Sequence, residues 1–146
     1  NDFYAPYLNA GARIVFGQTY DILNNSYAAL VTSGTATLET ALFNVPQVVC
    51  YYVACGKLIS WLRRMLLKVK FISLVNLIAD KEVVTELVAD GMTVQNVRKE
   101  LSRILPGGEG REQMLNDYTY MAERLGAPGA PYRAAQQMVA MLKAKQ

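Results

Sequence analysis

A short apolar strand that runs into a helix through a Ser-Gly-Thr corner constrains this chain more than any other feature. The strand is Ala28–Val31, the corner is Ser33-Gly34-Thr35, and the helix that follows carries one acid, Glu39. Gly34 supplies backbone freedom for a sharp corner. The free N–H groups of the first helical turn then point beyond the carboxyl end of the strand, where they attract phosphate. The corner can therefore hold a nucleotide.

Glu39 is the second part of this pattern. It lies five residues after Gly34, about one turn into the helix. A carboxylate at that place can accept hydrogen bonds from the two hydroxyls of a ribose. An ordinary capped strand-turn-helix has the same spacing, because Ser and Thr caps are common. The residues alone leave both interpretations open.

Composition limits the classes of function. The chain has 146 residues, 52% of them apolar, which predicts a single domain with a packed core. The net charge of +3 is spread along the chain and does not favour nucleic acid as a partner. The chain has no His, and Cys50 and Cys55 are typical of free thiols in a reducing compartment. We expect neither a metal site nor a cofactor.

The order of the elements indicates alternating strands and helices. The apolar runs predict strands at Ala12–Phe16, Ala28–Val31 and Gln47–Val53, and an extended segment at Phe71–Leu74 that leads into a loop at Asn76. Helical patterns cover Thr19–Ala28, Ala36–Leu42, Lys57–Val69, Lys81–Ala89, Thr93–Ile104, Arg111–Leu125 and Tyr132–Lys145. The chain begins at Asn1, with neither a Met nor a signal-peptide pattern, and this indicates an excised piece.

This order predicts an α/β fold with a Rossmann-like, mostly parallel sheet flanked by helices. We expect the core to cover about residues 10–105, with a helical C-terminal tail over about 106–146. Ligands of such sheets bind at the carboxyl ends of the strands. Tyr51, Tyr52 and the loop from Ser73 to Asn76 would join the corner there. The common role of Asn76 would be a turn or cap, and the alternative is a hydrogen bond to a phosphate or a sugar.

The segment Lys57–Lys70 mixes apolar residues with cations and contains no acid. A basic amphipathic helix of this kind can lie on an anionic membrane surface, with Trp61, Arg63, Arg64 and Lys68 as contacts. It is too short and too charged to span a bilayer. The alternative is a helix that packs one face on the sheet and leaves its cations in solvent.

Four stretches together resemble a known family. They are Thr32–Glu39, Ala41–Val49, Phe71–Ala79 and Lys81–Leu87. In this order and spacing they are similar to the C-terminal half of lipid-A-disaccharide synthases, and the resemblance covers most of Ile14–Met141. Two positions depart from the pattern of many members, which have Pro where this chain has Val75 and an Arg following the Tyr where this chain has Tyr52.

The resemblance implies the donor-binding half of a two-domain glycosyltransferase of the B type (GT-B). The family condenses UDP-2,3-diacylglucosamine with 2,3-diacylglucosamine 1-phosphate, which gives lipid A disaccharide 1-phosphate and UDP. The partners implied are this UDP-sugar donor, the acylated glucosamine phosphate acceptor and an N-terminal domain that the chain lacks. The reaction does not use a divalent metal in the usual way for this fold.

The same resemblance implies roles for single residues. Amides around Ser33, Gly34 and Thr35 would stabilise the departing diphosphate, Glu39 would hold the ribose, and Asn76 would act near the diphosphate or sugar as a catalytic group. The general base is expected in the absent N-terminal half.

The resemblance also implies a location and an assembly. We expect a protein of a Gram-negative bacterium, cytoplasmic and peripheral on the cytoplasmic face of the inner membrane. A homodimer with exchanged C-terminal helices is a further expectation. Two other interpretations stand: another UDP-sugar enzyme of the same fold, such as an N-acetylglucosaminyltransferase or an epimerase, and a non-catalytic Rossmann-like interaction module.

Overall fold

A three-stranded parallel sheet lies at the centre of the fold. The computed structural model describes residues 4, 11–32, 34–51 and 70–144. The strands are β1 (Ala29–Val31), β2 (Gln47–Tyr51) and β3 (Glu86–Val88), in the order β1-β2-β3. Both pairings are parallel, and β2 is buried over Gln47–Cys50. A strand covered on both faces is nearly continuously apolar, which explains the sequence of β2.

Six α-helices are described in addition to the sheet. They are α1 (Thr19–Asn24), α2 (Gly34–Leu42), α3 (Leu74–Ala79), α4 (Val94–Ile104), α5 (Arg111–Leu125) and α6 (Ala130–Lys143). The predicted α/β fold with a parallel sheet flanked by helices is confirmed. None of the helices in the described ranges has the length and apolar character needed to cross a membrane.

The unit β1–α2–β2 follows the sequence prediction closely. Helix α2 packs Thr37, Thr40 and Ala41 inward. The two threonine hydroxyls donate to carbonyls of their own helix, so their burial leaves no hydroxyl unpaired. Asn44 then takes a left-handed conformation with φ 55° and turns the chain into β2.

Helix α5 packs against α2, α3 and α4 and contributes to the core. Its residues Met114, Tyr118 and Met121 are buried in the same apolar cluster as the strands. The Tyr118 hydroxyl donates to the carbonyl oxygen of Val45 at 3.2 Å and accepts from Nε2 of Gln47 at 3.3 Å. Burial raises the pKa of the Tyr118 phenol, so the hydroxyl remains a donor. Helix α5 is therefore part of the core, whereas α6 has no buried residue.

The strand predicted at Ala12–Phe16 is wrong. This segment is irregular and exposed, and Phe16 keeps 68% of its surface in contact with solvent. A strand is stable only when its backbone groups pair with a neighbour. Within the described residues β1 pairs with β2 alone, so its outer edge pairs with no strand.

The helix predicted at Lys81–Ala89 is also wrong. The chain instead makes a loop, then β3, then a short 3-10 turn over Ala89–Gly91. Asp80, just before this segment, ends α3 in a left-handed conformation. The spacing of the apolar residues suits a helix as well as a strand, and pairing with β2 decides the outcome because it buries Val84 and Leu87.

Two other helices behave as predicted. Helix α4 begins after Thr93, whose hydroxyl accepts from the Asn96 amide at 3.1 Å. Helix α5 has the predicted bounds. The helix predicted over Lys57–Val69 lies outside the described residues.

The buried hydroxyl of Tyr118 leads to a test of the core. We expect Tyr118→Phe to lower the free energy of unfolding by about 1–2 kcal/mol, because it leaves the buried Val45 carbonyl without its donor. Tyr120→Phe is the matched control, since the Tyr120 hydroxyl is bound at the surface by Arg124. Urea denaturation measures the free energy of unfolding of each variant. Equal losses in the two variants would contradict a structural role of the Tyr118 hydroxyl in the core.

Candidate functional site

The corner after β1 forms the exposed start of α2. Gly34 and Thr35 make up the beginning of the helix, and Thr35 is exposed. Ser33 lies outside the described residues. Among the described residues, no atom lies within 4 Å of a Cβ placed on Gly34. Crowding by the described residues therefore does not demand glycine at this position.

Glu39 faces a cleft of about 490 Å³ on the exposed side of α2. The other residues that line this cleft form one continuous segment, Gly17–Asp21, at the start of α1. Tyr20 of this segment stacks on Phe43, with ring centroids 5.2 Å apart and an interplanar angle of 13°. The stacking holds α1 against the end of α2. The volume of the cleft is within the range of small-molecule sites.

The charge of this cleft indicates which part of a ligand it can receive. Two carboxylates, Asp21 and Glu39, line it, and no Lys or Arg is among its described lining residues. Carboxylates accept hydrogen bonds from sugar hydroxyls and repel phosphate. The cleft therefore suits the hydroxyls of a ribose better than a phosphate. Sequence reasoning missed Asp21, which only the folding of α1 onto α2 brings to this site.

Ser73 and Asn76 lie at the first turn of α3. Both side chains are fully buried. Ser73 caps the helix, because its hydroxyl accepts from the Asn76 backbone amide at 3.3 Å. The loop predicted at Asn76 is wrong, since Asn76 lies inside α3.

The Asn76 side chain makes four hydrogen bonds within the chain. Its Oδ1 accepts from the amides of Val83 at 2.8 Å and Val84 at 2.9 Å. Its Nδ2 donates to the Val84 carbonyl at 2.8 Å and to Oε1 of Glu86 at 2.9 Å. An amide side chain has two donor hydrogens and two acceptor lone pairs, and all four are used here. Contact with a diphosphate or sugar, the role predicted for Asn76, would require one of these bonds to open.

Tyr51 ends β2 close to Glu86, the hydrogen-bond partner of Asn76. It is half-buried, and both burial and the negative charge of Glu86 raise the pKa of its phenol. Tyr51 is thus a neutral hydroxyl at the carboxyl end of the central strand. The other residues named for this edge and for the membrane lie outside the described residues: Tyr52, Trp61, Arg63, Arg64 and Lys68.

The predicted site residues that the structure describes form two groups, one on α2 and one around the start of α3. Gly34, Thr35 and Glu39 belong to α2. Tyr51, Ser73 and Asn76 gather around Glu86, which sequence reasoning missed. Asn76 and Glu86 border a smaller cleft of about 180 Å³ that does not include Glu39.

A sequence signal for Glu86 does exist. It is the one acid within the run from Val83 to Val88. In an exposed helix this acid would need no explanation, but in a buried strand it requires hydrogen-bond donors. Within the described part of the chain, no three His, Cys, Asp or Glu side chains are grouped as a metal site would need.

Comparison with known sequences decides the family. A sequence model of the family described as lipid-A-disaccharide synthetase (LpxB) matches residues 9–138. The chain belongs to the lipid-A-disaccharide synthase family. The resemblance of the four sequence stretches is thereby confirmed, and all four lie within the matched range.

Individual members of the lipid-A-disaccharide synthase family agree with this match. The synthase of Myxococcus xanthus is 40% identical over 129 residues, which covers 88% of this chain and 33% of the relative. That of Solibacter usitatus is 41% identical over 129 residues, or 87% of this chain and 33% of the relative. That of Psychromonas ingrahamii is 40% identical over 142 residues, or 97% of this chain and 35% of the relative.

The chain therefore spans about a third of the length of these curated relatives. The shared name is that of a glycosyltransferase of lipid A biosynthesis. Membership of such a family agrees with the Rossmann-like α/β fold described above and argues against a non-catalytic interaction module.

Proposed function

We propose that this chain is the part of a lipid-A-disaccharide synthase that binds the UDP-sugar donor. The observation that carries the proposal is that Glu39 lines an acidic cleft and belongs to the same helix, α2, that begins at Gly34 and Thr35. That arrangement offers carboxylates to a ribose and backbone N–H groups to a diphosphate. Family membership supplies the chemical context.

The proposed reaction transfers a diacylated glucosamine from UDP. The oxygen of an acceptor hydroxyl forms a bond to the anomeric carbon of UDP-2,3-diacylglucosamine, with inversion. The bond between that carbon and the diphosphate oxygen breaks, and its electron pair leaves with UDP. The hydroxyl proton passes to a general base outside this chain. The product is the β-1,6-linked lipid A disaccharide 1-phosphate.

Residues of this chain would act on the leaving group. Negative charge develops on the diphosphate as the bond breaks, and preorganised N–H donors lower the barrier when they face that charge. The first turn of α2, with half-buried Gly34 and exposed Thr35, is suited to this task because a helix N-terminus carries partial positive charge. Glu39 would anchor the ribose, so that the diphosphate is held in line with the helix.

The alternative within the same chemistry is another UDP-sugar enzyme, such as an N-acetylglucosaminyltransferase or an epimerase. Such an enzyme would share the donor site and differ in the acceptor. The lipid-A-disaccharide synthase match over 130 of the 146 residues favours the lipid acceptor.

The exposed apolar residues of α6 support the proposal that this helix packs against further protein. Its apolar residues Tyr132, Met138, Val139, Met141 and Leu142 are all exposed. Burial of such residues is favourable, so α6 needs a partner surface. The part of the protein outside this chain, or a second copy in a homodimer with exchanged C-terminal helices, would supply it.

Donor binding is tested by Glu39→Ala in the complete enzyme that contains this chain. We expect the Kd for UDP to rise about 10- to 100-fold, because the ribose loses hydrogen bonds to a charged acceptor. Glu123→Ala, which removes an exposed acid from α5, is the control and should leave the Kd unchanged. Titration calorimetry with UDP measures both. Equal UDP affinity of Glu39→Ala and the unaltered enzyme would refute the assignment of Glu39.

The location is tested with membranes. We propose a cytoplasmic protein that is peripheral on the inner membrane, partly through Trp61, Arg63, Arg64 and Lys68. In co-sedimentation with vesicles that contain anionic phospholipid, we expect binding of the complete enzyme to weaken when Arg63 and Arg64 are both replaced by Gln. Replacement of Lys99 and Arg124, both exposed in the described fold, is the control. Binding that is the same for both double variants would exclude this segment as the contact.

The isolated chain of residues 1–146 provides another test. We expect it to form no disaccharide from the two substrates, because the general base and the acceptor site are assigned to the absent half. Mass spectrometry of the products measures this, with the complete enzyme as positive control. Product formed by the isolated chain would contradict the assignment. Light scattering on the same sample shows whether it is a dimer, as an exchange of α6 requires.

A further inference from the structure

Glu86 has an unusual concentration of hydrogen-bond donors around its carboxylate. The Ile72 amide donates to Oε2 at 2.9 Å, and the Ser73 amide donates to Oε1 at 2.8 Å. The Ser73 hydroxyl also donates to Oε1 at 2.8 Å, and Nδ2 of Asn76 does so at 2.9 Å. Four donor groups from three residues thus converge on one half-buried carboxylate.

This carboxylate occupies the start of α3 as a bound anion would. Backbone amides before and within the first turn of a helix attract negative charge, and here the chain supplies that charge itself. While Glu86 is in place, the amides of Ile72 and Ser73 have their acceptor. Hydrogen bonds to a charged acceptor are about twice as strong as neutral ones, so the arrangement is rigid.

The position of Glu86 connects three parts of the fold. It is the first residue of β3 and is paired with Val49 of the central strand. Its side chain reaches the segment Lys70–Ser73, which returns to the sheet, and it also contacts Asn76 of α3. The negative charge of Glu86 also helps to raise the pKa of the Tyr51 phenol at the end of β2. A change at Glu86 would therefore move the groups that border the carboxyl edge of the sheet.

We propose that Glu86 is a positioning residue of the donor site. Its carboxylate holds the segment Lys70–Asn76 in place and occupies the amides at the start of α3, so that the donor diphosphate is directed to the start of α2. This inference rests on the proposed function, because it assumes that the donor binds at this edge. Glu86 itself touches neither substrate.

The test uses Glu86→Gln and Glu86→Ala in the complete enzyme that contains this chain. Glu82→Gln is the matched control, because Glu82 borders the same small cleft but is exposed. We expect both Glu86 variants to raise the Kd for UDP about tenfold at a temperature at which circular dichroism shows them folded. Glu82→Gln should bind UDP like the unaltered enzyme.

Sodium formate separates positioning from simple loss of stability. In Glu86→Ala the four donors lack their acceptor, and a free carboxylate of small size can replace it. We expect formate to restore UDP affinity to Glu86→Ala and to leave Glu82→Gln and the unaltered enzyme unchanged, with sodium chloride as the ionic-strength control. Unaltered UDP affinity in the folded Glu86 variants, or a loss that formate does not reverse, would overturn the proposal.

Hydrogen exchange in the unaltered enzyme keeps the proposal testable even if the Glu86 variants do not fold. We expect the amides of Ile72 and Ser73 to exchange slowly and to slow further when UDP binds. No change with UDP would overturn the role of Glu86. Glu39→Ala distinguishes the two proposals: if Glu39→Ala binds UDP normally, the proposed donor site is wrong, whereas a defect in Glu39→Ala alone refutes only the inference about Glu86.

Discussion

The four hydrogen bonds of the Asn76 side chain are the interaction on which the rest of the site depends. Three of them join α3 to Val83 and Val84 just before β3, whose buried amides would otherwise have no acceptor, and the fourth reaches Glu86 in β3. Buried backbone groups without partners cost about 1–3 kcal/mol each. Asn76 therefore determines where the chain enters β3, and with it the position of Glu86.

Helices α2 and α3 begin in different ways. The start of α3 is filled by an internal carboxylate, Glu86, which accepts from four donor groups. At the start of α2, no atom of the described residues lies within 4 Å of the side-chain position of Gly34. Both starts carry the same partial positive charge. The internal anion at the start of α3 agrees with the proposal that the donor diphosphate binds at the start of α2.

The C-terminal helices divide between the core and the surface. Helix α5 contributes Met114, Tyr118 and Met121 to the core, so the described unit is closed on that side by its own chain. Helix α6 contributes no buried residue and exposes a row of apolar side chains. Because the chain covers about a third of its relatives' length, these exposed residues agree with a surface made to meet further protein.

The sequence by itself determined the elements whose signals are local. The strand Ala29–Val31, the helix that follows it and the helix that begins after Thr93 depend on neighbouring residues, and they lie where the patterns predicted them. The family was also readable from sequence, since its motifs are linear.

Only the tertiary structure decided the strand character of Glu86–Val88 and the internal role of Asn76. The apolar spacing over residues 81–89 suits a helix and a strand equally, and pairing with β2 selects the strand because it buries Leu87 and satisfies the backbone. The predicted strand at Ala12–Phe16 failed for the converse reason, because in the described residues no neighbour pairs with it. Hydrogen bonds between distant segments, such as those of Glu86, depend on that pairing and leave no periodic trace in the sequence.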